Sequence, residues 1–134
     1  MTLARRKTAT RSQQDYQDRA RALGCVICRF LLSAGWHLPH QCGDTHIHHR
    51  NGGDHHGQKQ IGQDAVVAMG GWHHDGVLLP GYTTDTMREM FGPSFKFGRD
   101  FRVWTDDQLP GYGRGTAAWQ KLQDEYLEAN DGSE

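Results

Sequence analysis

The chain has 134 residues and a mass of 15.2 kDa, enough for one small domain, and only 36% of its residues are hydrophobic. No run approaches the roughly 18 apolar residues of a membrane-spanning helix, and the N-terminus lacks the apolar segment of a signal peptide, so we expect a cytoplasmic protein without a membrane partner. The net charge of −1 is unevenly distributed: residues 1–29 carry a net +5 and the other 105 residues a net −6, a pattern typical of a polyanion-binding arm or of a solvated tail.

The N-terminal part of the chain predicts a basic arm followed by a helix. Residues 1–11 are polar and basic, which favours disorder. A helix over residues 12–23 follows, with Ser12 as its N-cap, Asp15 as the capping-box partner and Gly24 as the left-handed residue that ends it. Its apolar face, at i, i+4 and i+7, consists of Tyr16, Ala20 and Leu23.

Two strands and a tight turn are predicted for the middle of the chain. Residues 45–50 are typical of a strand, and the short apolar run over residues 64–69 indicates a second one. Residues 51–63 form a Gly-rich connection between them. After the second strand we expect a tight turn over residues 72–76.

The C-terminal part predicts two helices and one more strand. Residues 84–91 read as a short helix that ends at Gly92-Pro93, and residues 101–104 read as a strand. A loop with Gly and Pro, residues 105–115, leads to a last helix with Thr116 as its N-cap. The apolar face of that helix consists of Trp119, Leu122 and Tyr126.

All nine histidines lie between His37 and His74, and the three cysteines lie in or beside that stretch. Cys25-x-x-Cys28 follows the first predicted helix, and two thiolates at this spacing can occupy two corners of a tetrahedral zinc site. The alternative is a pair of buried free thiols. Spacing does not choose the other two ligands among the candidates, which are Cys42, His40, His37 and His73.

Two pairs of adjacent histidines point to metal-assisted chemistry. In a bent strand, one residue of His48-His49 can bind an ion while the other faces a substrate as general base, and His73-His74 supplies a second pair. Asp64, before the second strand, can orient the base, touch the metal or simply cap the strand. The first Glu of the chain is Glu89, which excludes a His-Glu-x-x-His zincin helix and a His-x-Glu deaminase motif.

The order of these motifs resembles that of the phage recombination enhancement function (Ref) family, RecA-dependent nucleases of the HNH/ββα-metal superfamily. The resemblance covers residues 12–76 and extends more weakly to the last helix. The motifs that carry it are Ala22-Leu23-Gly24-Cys25-Val26-Ile27-Cys28-Arg29, Ile47-His48-His49-Arg50, Gly57-Gln58-Lys59 and His73-His74.

The resemblance implies an α+β fold: an HNH-like ββα-metal core with flanking N- and C-terminal helices, with a zinc staple as an option. Residues 1–11 would be a disordered basic arm and residues 12–130 a single nuclease domain, in which residues 76–112 are an elaboration. The implied activity is metal-dependent hydrolysis of DNA phosphodiester bonds in phage or prophage recombination, with DNA and a RecA filament as partners.

The resemblance also implies roles for individual residues. His48 would bind the catalytic ion and His49 would be the general base, while Asp64 falls where the family has its middle Asn or Asp. The second ligand would be His74 if one residue is inserted and His73 if none is. The family has Leu-Cys before this pair, whereas this chain has Ala68-Met69 or Met69-Gly70.

The identity of the ion and of its third ligand stays open, with Mg²⁺ or a transition metal as the ion and residues such as His46 or His56 as the ligand. Contacts to the DNA backbone are expected from six basic residues: Arg5, Arg6, Lys7, Arg11, Arg19 and Arg21. A hypothesis of another class is a non-catalytic, zinc-stapled nucleic-acid-binding module.

Overall fold

The computed structural model describes residues 8–51 and 62–131, without the side chains of residues 130 and 131. The elements in chain order are α1 (Arg11–Leu23), α2 (Val26–Ser33), β1 (Thr45–His49), β2 (Val66–Gly70), α3 (Gly71–Asp75), α4 (Thr84–Phe91), α5 (Gly98–Gln108) and α6 (Gly115–Asp131). Six helices around a two-stranded sheet confirm the predicted α+β class for this part of the chain. Among these helices none combines the length and the apolar character required to cross a bilayer.

Helix α1 begins earlier than predicted because a capping box precedes it. The side chain of Thr10 accepts a hydrogen bond from the Gln13 backbone N–H at 3.2 Å, and the Gln13 side-chain oxygen accepts one from the Thr10 backbone N–H at 2.9 Å. The prediction of Ser12 and Asp15 as the cap was therefore wrong, since Thr-x-x-Gln already satisfies both donors. Gly24 ends the helix as predicted and has a positive φ of 88°, but its ψ of −167° lies outside the left-handed helical region that was predicted.

Strands β1 and β2 form an antiparallel hairpin, from Thr45 opposite Gly70 to His49 opposite Val66. All residues of β2 are buried, because helices α1, α2, α3 and α6 all contact this strand. Side chains alternate along a strand, so His46 and His48 lie on one face of β1 and His49 lies on the other.

Gln123 of α6 closes the edge of the sheet that β1 leaves open. Its side-chain oxygen accepts a hydrogen bond from the Ala68 backbone N–H at 2.8 Å, and its amide nitrogen donates to the Val66 carbonyl at 3.0 Å. This fully buried side chain thus makes the two bonds that a neighbouring strand would make. Residue 123 therefore fixes how α6 sits against the hairpin.

Three predicted elements differ from the structure in type or extent. Residues 72–76 were predicted as a tight turn, but β2 runs through Gly70 and continues directly into α3. Residues 101–104 were predicted as a strand but lie within α5. Helix α6 starts at Gly115, so Thr116 lies in its first turn and is not its cap.

Packing against α6 explains why residues 101–104 are helical although their sequence predicts a strand. Phe101 and Thr105, four residues apart, are both buried, whereas Val103 between them is 57% exposed. In a strand all three side chains would share one face, so this pattern fits a helix. The Trp119 indole N–H donates to the Thr105 hydroxyl at 2.8 Å, and the rings of Trp104 and Trp119 stack with centroids 5.8 Å apart. Tertiary contacts thus override the β propensity of residues 101–104.

Helix α2 was not predicted. It is a single short, mostly apolar stretch, and a run of this length has no periodicity that separates helix from strand. Its buried side chains, Val26, Ile27 and Leu31, join the core, and Cys25 is its N-cap. The first residue of the cysteine motif therefore caps the helix, which begins at Val26.

Candidate metal centres

Four buried side chains converge from separate parts of the chain. Cys25 and Cys28 lie at the N-terminal end of α2, Cys42 lies in the loop before β1, and His73 lies in α3. We call this group the Cys3His cluster. Of the four candidates for the two open zinc corners, the structure brings Cys42 and His73 to the cysteine pair.

The distances within the Cys3His cluster suit a tetrahedral ion. The Nδ1 atom of His73 lies 3.4, 3.8 and 3.0 Å from the sulfurs of Cys25, Cys28 and Cys42, and the Cys25 and Cys42 sulfurs are 3.9 Å apart. Zinc bonds of about 2.3 Å to sulfur and 2.0 Å to nitrogen give tetrahedral edges of about 3.8 and 3.5 Å. These four distances lie within about half an ångström of the tetrahedral values, and all four donor atoms lie within 4.8 Å of one another.

The protonation states within the cluster also fit a metal. Burial opposes ionisation of Cys25, but hydrogen bonds from Cys28 and Cys42 and the nearby His73 hold the pKa of the Cys25 thiol well below its usual range. The hydrogen bond to Cys25 raises the pKa of Cys28, and the same interaction raises that of Cys42. One thiolate is thus favoured before any ion binds, and an ion would favour the other two.

His73 is held in the orientation that a ligand requires. Its Nε2 lies 2.7 Å from the Phe91 carbonyl oxygen, which can only accept, so Nε2 carries a proton and Nδ1 is the ring atom that faces the sulfurs and can bind an ion. Trp72, the preceding residue, donates its indole N–H to the Gly92 carbonyl at 2.9 Å. The cluster can bind a structural metal such as zinc.

Cys42 occupies the space that a side chain at residue 70 would need. A Cβ built on Gly70 would lie 2.4 Å from the Cys42 sulfur. Residue 70 is one of the two positions where the resemblance leads us to expect the cysteine of Leu-Cys. The Cys42 sulfur, from the loop before β1, therefore lies against the end of β2 at residue 70.

A second group of side chains, on the other side of α3, contains His46, His48, His74 and Asp75. The Nδ1 atoms of His46 and His74 are 3.0 Å apart, and His74 Nδ1 lies 3.4 Å from an Asp75 carboxylate oxygen. The ring of His48 lies with its centroid 5.1 Å from that of His74 and 4.8 Å from that of Phe95. The two histidines of the pair 73–74 thus belong to different groups.

The two residues predicted to be catalytic, His49 and Asp64, lie apart from the group around His74. His49 lies on the opposite face of β1, partly buried, with its Nε2 3.2 Å from the side-chain oxygen of Gln63. Asp64 is exposed and lines a groove beside Tyr16 and Asp124, while its backbone carbonyl accepts a hydrogen bond from Gln120 at 2.7 Å. Gln63, which the sequence did not indicate, is thus the neighbour that contacts the candidate base.

The other candidates lie away from both groups or outside the described residues. His40 is exposed, with its Nε2 3.2 Å from the Tyr82 hydroxyl, and His37 is exposed near α4. Arg21 pairs with Asp18 at 3.2 Å on the exposed side of α1. Arg11 and Arg19 belong to the same helix. The candidates outside the described residues are Arg5, Arg6, Lys7 and His56.

Comparisons of this chain with protein-family models, with curated proteins and with solved structures found no match.

Proposed function

We propose that the protein is a metal-dependent DNA endonuclease with an HNH-like core. The observation that supports this most strongly is the continuous path from an antiparallel hairpin into a helix, β1-β2-α3, with His48 on the hairpin and His74 on the helix in ring contact. This is the order of elements in a ββα-metal core, and it is the geometry in which two imidazoles from different elements can share one ion.

In the proposed site, His48 and His74 hold a divalent ion. Such an ion supplies positive charge that stabilises the phosphorane-like transition state and the leaving 3′ oxygen. His49 takes the proton of the attacking water, a role that suits an imidazole because its ordinary pKa is near 6.5. The Gln63 side-chain oxygen lies 3.2 Å from Nε2 of His49 and supports the orientation of the ring.

The DNA backbone would contact basic residues of the N-terminal segment, namely Arg5, Arg6 and Lys7 together with Arg11, Arg19 and Arg21. Phosphate contacts of this kind are independent of sequence and sensitive to salt. The resemblance adds a RecA filament as a proposed partner, and comparison of cleavage on bare and on RecA-coated DNA tests it.

The Cys3His cluster favours a second function, a zinc-stapled nucleic-acid-binding module without catalysis. Four buried zinc donors with no position open to solvent are typical of structural zinc sites. Such a site has a role in stability even if the protein catalyses no reaction. The two proposals differ in whether the group around His74 performs a reaction.

The His49→Ala variant separates the two functions. Because a general base acts on water and does not hold the ion, we expect cleavage of DNA to fall by about two orders of magnitude or more, with unchanged circular dichroism, zinc content and DNA affinity. His37→Ala, an exposed histidine outside both groups, is the matched control. Wild-type protein that binds DNA but does not cut it with Mg²⁺, Mn²⁺ or Zn²⁺ would support the binding module instead.

A further inference from the structure

The strongest unassigned feature is the close approach of His46 to His74. The two side chains come from different elements, since β1 carries His46 and α3 carries His74, and both are partly buried. Their rings meet edge to face, with centroids 5.2 Å apart and an interplanar angle of 85°. Strand periodicity and motif order do not predict this contact. It arises because β2 continues directly into α3, which places His74 beside β1.

The donor atoms lie at the spacing of a coordination shell. One ligand atom from each of His46, His74 and Asp75 lies within 4.8 Å of the other two, and the two imidazole nitrogens are 3.0 Å apart. Neighbouring ligands on an ion with bonds of about 2.1 Å lie about 3.0 to 3.4 Å apart in octahedral or tetrahedral geometry. The chief alternative is an N–H···N hydrogen bond between two neutral rings, which has the same separation.

The chemistry of these donors indicates which ion would bind. Mg²⁺ prefers oxygen ligands and retains several waters, whereas imidazole suits zinc, cobalt, nickel, copper and iron. Two imidazoles with one carboxylate therefore select a first-row transition metal. The half-exposed carboxylate of Asp75 leaves one side of the group open to solvent.

We propose that His46, His74 and Asp75 form a second metal site, separate from the Cys3His cluster, that selects a first-row transition metal ion over Mg²⁺. Where the proposed endonuclease function holds, His46 joins His48 and His74 around the catalytic ion, and the ion is not magnesium. The existence of the site does not depend on that function.

Cobalt binding to the full chain tests the proposal. With the Cys3His cluster already loaded with zinc, we expect a Co²⁺ ion per chain to bind with weak visible bands and without the near-ultraviolet thiolate charge-transfer band. His46→Ala and His74→Ala should each weaken this binding by about tenfold or more. Loss of a residue that only hydrogen-bonds a metal ligand already lowers metal affinity by about tenfold or more, and loss of a ligand should cost at least as much. His37→Ala should bind as the wild type does.

The measured quantity is the difference in Co²⁺ binding between each variant and the wild type. Cobalt bound by histidines elsewhere contributes equally to both proteins and cancels. Unchanged cobalt affinity in His46→Ala would mean that the two rings are only hydrogen-bonded, and it would overturn the proposal. Displacement of Co²⁺ by millimolar Mg²⁺ would overturn the selectivity. Cobalt bound through His46 in a protein that never cuts DNA would support this site and refute the endonuclease.

Discussion

At the scale of single residues, the need for glycine at position 70 comes from a side chain that is distant in sequence. Its φ of −67° and ψ of 165° are open to any residue, so backbone conformation does not require glycine here. The requirement comes from the sulfur of Cys42, which lies too close to residue 70 to leave room for a Cβ. The end of β2 and the third thiol of the Cys3His cluster therefore depend on each other.

The Gly70→Ala variant should lose zinc affinity while the hairpin still forms. The added methyl group must displace the Cys42 sulfur, and we expect the affinity to fall by about tenfold to a hundredfold, measured by competition with a chelating dye. Gly98→Ala is the matched control, because the nearest atom there is the end of the flexible Arg102 side chain. Equal zinc affinity in both variants would show that Cys42 is not a ligand.

At the scale of elements, α1 and α6 are joined through Tyr16. Its hydroxyl donates to Asp124 at 2.5 Å and accepts hydrogen bonds from Gln120 at 3.1 Å and Gln123 at 2.9 Å. Burial and the hydrogen bond to Asp124 raise the pKa of Tyr16 from 10.0 to about 12. Because Gln123 also binds the edge of β2, one polar network connects both helices to the sheet.

The raised pKa of Tyr16 predicts an alkaline loss of stability. A folded-state pKa above the unfolded value stabilises the fold below pH 10, and this contribution disappears as the pH rises through about 12. Tyr16→Phe should be less stable than wild type at pH 8, and the difference between the two in urea unfolding should shrink between pH 10 and 12. A difference that stays constant over this range would contradict the assigned network.

For the whole molecule, the Cys3His cluster is the point where distant segments meet. It joins the start of α2, the loop before β1 and α3, and the bond from His73 to the Phe91 carbonyl extends it to the end of α4. Apparent zinc-binding free energies in small zinc domains are about 10–16 kcal/mol, as large as the whole stability of an ordinary domain. A bound zinc would therefore dominate the stability of this chain.

The double variant Cys25→Ser/Cys28→Ser should release about one zinc per chain and unfold, as seen by circular dichroism. Removal of zinc from the wild type by a chelator should have the same effect, and added zinc should reverse it. Leu32→Ser, on the exposed side of the same helix, is the control and should keep its zinc. A double variant that stays folded with its full metal content would make the pair ordinary buried thiols.

The positive charge of the N-terminal residues is expected to act on the binding of DNA by the whole molecule. Replacing Arg5, Arg6 and Lys7 with alanine removes up to three phosphate contacts, so the slope of log affinity for duplex DNA against log salt should flatten by about 2 to 3 units. These substitutions leave the Thr10 cap of α1 intact, and Arg102→Ala on α5 serves as the control. An unchanged slope would mean that the arm does not contact DNA.

The local signals of this sequence determined most helix and strand positions and pointed to a candidate cysteine-histidine metal site. The helix over Thr84–Phe91 and the strands β1 and β2 could be predicted because the Gly-Pro that follows the helix and the short strand-forming runs are local signals. The spacing of Cys25-x-x-Cys28 likewise marks two candidate zinc ligands. Only the tertiary structure decided that Cys42 and His73 complete the group, that His74 turns to His46 and that residues 101–104 are helical. These depend on side chains far apart in the sequence, and their contacts outweigh the local preferences of each segment.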